Sequence, residues 1–82
     1  MKKITNYSIV IDTTGLRCPL PVLRVRKNLP QLQKKDLALI IADDPLAEID
    51  LGHFCRIKGY EIKNISSNKS DKRQYYEIRY KN

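Results

Sequence analysis

The chain has 82 residues, enough for one domain and too few for a deeply enclosed active site, so any chemistry belongs near the surface. Sixteen Lys and Arg against nine Asp and Glu give a formal charge of +7, which points to an acidic partner (nucleic acid, an acidic protein face or anionic lipid) or to nothing more than a solvated surface. No run is long enough to cross a membrane, and the basic start MKKITNYSIVID lacks the apolar centre of a signal peptide. A cytoplasmic location with reduced thiols is therefore expected.

The segment SIVID, Ser8 to Asp12, is rich in β-branched residues and reads as a strand, broken by Thr13, Thr14 and Gly15. From Pro19 to about Leu32 the apolar residues Leu20, Val22, Leu23, Val25, Leu29 and Leu32 fall near helical spacing, with Arg24, Arg26 and Lys27 on the other side. Pro30 lacks a backbone donor and should kink that helix or end it early. LALIIA, Leu37 to Ala42, is a continuous apolar run expected to form a covered strand, stopped by Asp43-Asp44-Pro45.

Asp50 is placed to cap a second helix from Leu51 to Lys58, with Leu51, Phe54 and Cys55 on one face and Gly59 ending it. Tyr60 to Ile65 and Arg73 to Tyr80 read as two strands around the polar turn SSNKSDK. In the last of them Tyr76, Ile78 and Tyr80 alternate with Glu77 and Arg79, which predicts one buried face. The order β-α-β-α-β-β predicts an α+β two-layer sandwich, a four-stranded mixed sheet with two helices on one face. Its first β-α-β unit should be parallel and its closing hairpin antiparallel.

The chemistry centres on GLRCPLP, Gly15 to Pro21. Cys18 falls at the expected cap of the first helix and Pro19 at its first position, where proline is favoured. Pro19 and Pro21 delete two of the free N–H groups of that helix start, while Leu20 and Val22 keep theirs. Arg17 adds positive charge next to the sulfur. These conditions predict a lowered thiol pKa and an exposed, rigidly held sulfur nucleophile. The alternative is a half-buried, inert cysteine at a helix start. Cys18 and Cys55 form no Cys-x-x-Cys, which argues against a thioredoxin-like oxidoreductase. His53 alone completes no usual zinc set, so neither metal nor other cofactor is expected.

GLRCPLP, followed by LIIADDP and then DLGHFCRIKGYEI, resembles the TusA family of small sulfur carriers, also called SirA-like, over Asp12 to Ile62. The resemblance implies the same two-layer sandwich. It also implies that Cys18 accepts a sulfane sulfur from a cysteine desulfurase as a persulfide and passes it to a downstream acceptor protein. One branch of that family feeds 2-thiouridine formation in tRNA; others serve sulfur oxidation, molybdenum cofactor work or selenium metabolism. Around Cys18, the residues expected to shape the site are Asp12, Gly15, Arg17, Pro19, Leu20, Pro21 and Asp44. Arg17, Arg24, Arg26 and Lys27 form a candidate docking patch or simply a solvated helix face. A monomer without membrane attachment is expected.

The chain departs from the family pattern at Gly52, where a proline often stands, at Lys34-Lys35, which replace a Pro-Gly turn, and at Pro30 inside the first helix. Asp12 is either a shaper of the Thr13-Thr14-Gly15 turn or an ordinary turn residue. Asp44 is expected to shape the turn into Pro45, with Asp43 solvated or touching the cysteine loop rather than holding a metal. Cys55 is expected in the core and His53 at the surface. A competing function of another class is RNA binding through the sheet, using Tyr60, Tyr75, Tyr76 and Tyr80; a third is regulation through protein contacts alone.

Overall fold

The computed structural model describes residues 7–32, 36–66 and 72–80. The Lys34-Lys35 connection and the centre of the SSNKSDK turn lie outside the described residues. Strand β1 is Ile9–Asp12, helix α1 Leu20–Asn28 with a 3-10 turn Leu29–Gln31, strand β2 Ala38–Ala42, helix α2 Ala47–Lys58, strand β3 Tyr60–Asn64 and strand β4 Gln74–Tyr80. The sheet order is β1-β2-β4-β3. β1 runs parallel to β2, and β4 pairs antiparallel with both β2 and β3. The expected mixed sheet with its parallel first unit and antiparallel hairpin is the observed one.

Side-chain alternation decides which face the helices cover. Ile11 of β1, Ala38, Ile40 and Ala42 of β2 and Tyr76 and Ile78 of β4 point into one core with Val25, Leu29 and Leu32 from the first helical segment and Ala47, Leu51 and Cys55 from α2. Val25, Leu29 and Leu32 follow at intervals of four and three, and Ala47, Leu51 and Cys55 at intervals of four, so each helix shows the sheet one continuous stripe. Every fully buried Leu, Ile or Val here contributes about 1.5–3 kcal/mol relative to exposure.

Pro30 acts as expected. The α-helix ends at Asn28 and the chain tightens into the 3-10 turn that contains this proline. Gly59 ends α2 with φ at 84°, a left-handed conformation suited to glycine, and its N–H bonds the Cys55 carbonyl at 2.9 Å.

Two helix starts differ from expectation. α1 begins at Leu20 with Pro19 as its cap residue, so Cys18 lies outside the helix. α2 begins at Ala47, not Leu51, with Leu46 as its cap residue. The reason is Asp44: its carboxylate accepts the Leu46 N–H at 3.3 Å and its carbonyl the Ala47 N–H at 3.0 Å, so the helix nucleates directly after Pro45. Asp50 is consequently the fourth helical residue, not a cap.

Candidate functional site

The segment between β1 and α1 is tied down almost residue by residue. Thr13, fully buried, donates both its N–H and its hydroxyl to the Ile41 carbonyl, at 2.7 and 2.6 Å. Asp12 Oδ1 accepts the Thr14 N–H at 2.9 Å and the Thr14 hydroxyl at 2.5 Å, and these bonds hold its carboxyl below the usual range. Gly15 turns the chain with φ at 87°, and its N–H reaches Asp43 Oδ1 at 3.0 Å. Arg17 donates to the same oxygen at 2.9 Å. The Gly15 and Arg17 contacts together lower the Asp43 pKa. Asp44 is buried and accepts the Cys18 backbone N–H through Oδ2 at 2.5 Å. The Asp44 carbonyl receives Gln74 Nε2 of β4 at 3.0 Å, which braces the loop from the sheet.

Cys18 is exposed, and its Sγ lies 2.8 Å from Asp50 Oδ2, with the thiol as donor. Three expectations about this sulfur are corrected here. The Leu20 N–H does not face it but bonds the Arg17 carbonyl at 2.8 Å. The Arg17 guanidinium is turned to Asp43 and the Leu16 carbonyl. The thiol pKa is raised, not lowered: the hydrogen bond to Asp50 contributes most, then burial, then the negative charges of Asp50 and Asp44. In a chain of net charge +7, the groups set closest to the Cys18 sulfur are acidic.

Pro21 is buried under the helix start, while Pro19 and Leu20 remain exposed. Beside the sulfur runs an open groove of about 610 Å³ between α1 and α2. Leu23, Ile49 and Ile57 line it at 46%, 70% and 66% exposure, a cluster of apolar surface with no covering side chain among the described residues. Arg26 and Lys58 flank it, and His53 lies at its wall, exposed as expected. The candidate docking patch divides. Arg26 borders this groove, whereas Arg24 and Lys27 line a separate depression with Leu16, Leu20 and Leu23. Arg24 also reaches the Asp12 carbonyl at 3.4 Å.

The sequence profile of the family described as sulfurtransferase TusA matches residues 9–81 of this chain. The chain belongs to the TusA sulfurtransferase family. Two proteins of Neisseria meningitidis, from serogroups A and B, whose names assign them as sulfur carriers, are each 42% identical over 59 residues, covering 72% of this chain and 80% of the relative. The crystal structure of a SirA-like protein from Desulfitobacterium hafniense superposes with a TM-score of 0.72 at 24% identity, covering 85% of this chain and 93% of that one, and shows the shared fold.

As a TusA protein the chain is a sulfur carrier. Of its two cysteines, the surface offers only Cys18; Cys55 is 1% exposed in the core, where burial pushes its thiol up to about 12. The tyrosines invoked for RNA binding are mostly on the wrong face. Tyr76 is buried in the core, and Tyr60 and Tyr80 pack against it, their rings 5.0 Å apart, with Phe54 stacked on Tyr60. That leaves Tyr75 alone of the four on the sheet face away from the helices. No helix among the described residues is long and apolar enough to cross a membrane.

Residue reasoning missed Asp50 as the sulfur's partner and the groove as a surface. The signal was present: Ile49, His53 and Ile57 recur every four residues, opposite the buried stripe of Ala47, Leu51 and Cys55.

Proposed function

We propose that Cys18 receives a sulfane sulfur from a cysteine desulfurase as a persulfide and relays it to a downstream acceptor protein, with formation of 2-thiouridine in tRNA as one destination. One observation carries this reading: Cys18 presents an exposed sulfur from a backbone pinned by Asp44, at the mouth of an apolar groove. Transfer between proteins is attack of a thiolate on a sulfur–sulfur bond, which requires such access. The sulfur keeps its oxidation state, because the donor's S–S bond breaks as the new one forms.

The groove is the surface on which donor and acceptor would dock. Its apolar floor supplies contact area, and Arg26 and Lys58 at its rim favour acidic partner faces and rapid encounter. Asp12, Gly15, Arg17, Pro19, Leu20, Pro21 and Asp44 would serve as the frame that holds Cys18 in place.

Incubation with a cysteine desulfurase and cysteine, followed by intact-mass measurement, tests the proposal. The native protein should gain one sulfur atom and Cys18→Ser none, while Cys55→Ala should still load. Sulfur mapped to Cys55, or none on the native chain, would defeat it.

A further inference from the structure

The contact between Cys18 and Asp50 depends on a proton that loading removes. In the empty protein the thiol donates its hydrogen to Asp50 Oδ2 across 2.8 Å. Once Sγ bonds to a second sulfur it has no hydrogen to donate, and the same geometry would press sulfur lone pairs against carboxylate lone pairs with nothing shared between them. A persulfide is more acidic than a thiol, so its terminal sulfur adds a like charge.

The two sides of this contact differ in freedom. Asp50 sits in the first turn and a half of α2, its N–H bonded to the Leu46 carbonyl at 3.1 Å, next to the buried Leu51. The Cys18 backbone is fixed by Asp44, but its side chain is exposed and opens onto the groove. Relief therefore comes from rotation about the Cys18 Cα–Cβ bond. The charged and titratable groups around this sulfur are Asp44 in the preceding loop, Asp50, His53 and Lys58 on α2, and Arg26 on α1.

We propose that Asp50 is a positioning residue that distinguishes empty from loaded Cys18, holding the bare thiol against α2 and turning a substituted sulfur outward. The inference rests on Cys18 being the sulfur-bearing residue. In loading, the Cys18 S–H bond breaks, Sγ bonds to the donor's sulfane sulfur, and the donor's S–S bond breaks with its electron pair on the donor cysteine. That thiolate takes up a proton equivalent to the one Cys18 released, and no external oxidant or reductant is needed. An acceptor then meets a sulfur projecting from the loaded carrier, whereas in the empty carrier the thiol rests as a donor to Asp50 until a persulfide donor engages it.

The test replaces the thiol hydrogen without any sulfur donor. Methyl methanethiosulfonate converts Cys18 to its methylthio disulfide and releases methanesulfinate. Three-bond Hα–Hβ couplings on protein carrying ¹³C-labelled cysteine report the Cys18 side-chain rotamer. The native protein should show one rotamer when empty and a different one when methylthiolated. In Asp50→Asn the amide donates to sulfur in either state, so the change should be lost, and the midpoint of its alkylation pH profile should fall below that of the native protein. An unchanged native rotamer on methylthiolation overturns the proposal on its own, whether or not the variant folds. An identical rotamer change in Asp50→Asn overturns it as well. Failure of the sulfur-carrier reading would look different: no sulfur taken from a persulfide donor, with the rotamer switch intact.

Discussion

The buried carboxylate of Asp44 accepts the backbone N–H of Cys18 at 2.5 Å while its other oxygen accepts the N–H of Leu46 at 3.3 Å. One side chain thus both fixes the Cys18 main chain and starts α2. Asp44→Ala would leave two backbone donors without these partners, one of them beside the Cys18 sulfur. The expected loss is about 1–3 kcal/mol in a denaturant titration, with slower sulfur loading in the same variant. A titration that superimposes on the native one would show that the loop is held elsewhere.

The Cys18 thiol should alkylate more slowly than an ordinary cysteine at neutral pH. Its raised pKa means that the reactive thiolate appears only as pH climbs beyond the usual thiol range. Iodoacetamide rates followed from pH 5 to 10 check this, and a midpoint at or below that of free cysteine would mean that the helix start outweighs Asp50.

Charge reversal should separate the two surfaces around α1. Arg26→Glu with Lys58→Glu alters the rim of the groove, so sulfur acceptance from a desulfurase should slow and the native rate should fall with salt, since exposed charges are screened within ~8–10 Å at ordinary ionic strength. Arg24→Glu with Lys27→Glu alters the neighbouring depression and should have a smaller effect. Equal slowing by the two pairs would show that overall charge, not the groove, guides docking.

Cys55 should make the fold sensitive to alkali. Its thiol is raised by burial to about 12, whereas in the unfolded chain it ionises in the usual thiol range. Between those values the unfolded state has lost a proton that the folded state keeps, so stability is complete below the usual range and declines as pH rises toward about 12. Denaturant titrations of the native protein and Cys55→Ala across this interval should show a steeper decline in the native chain. At neutral pH the variant should cost about 1 kcal/mol.

The elements were legible because their patterns are local. The β-branched strands, the stop at Gly59 and the break at Pro30 each announce themselves within a few residues. Asp50 shows where that approach ends. An aspartate just before Leu51, Phe54 and Cys55 has the look of a cap, but Ala47 completes the buried stripe one turn earlier, and Asp44 supplies the helix start. Freed from capping, Asp50 faces a sulfur 32 positions away in sequence. The same nonlocality inverted the expected thiol chemistry: the Leu20 N–H and Arg17 are near in the chain, yet they are engaged by the Arg17 carbonyl and by Asp43, while carboxylates from a distant loop and helix set the local field.

The sheet order has a consequence for the nascent chain. β4 lies between β2 and β3, although it follows both in sequence. While residues 74–80 are still inside the ribosome, β3 has no strand to pair with and the Asp44 carbonyl lacks the Gln74 amide that braces it. Cys18 will by then have been outside the ribosome for more than 50 residues of synthesis, on a loop whose Gln74 brace is not yet in place. Competence to carry sulfur should therefore arrive in one step, with the emergence of the last strand.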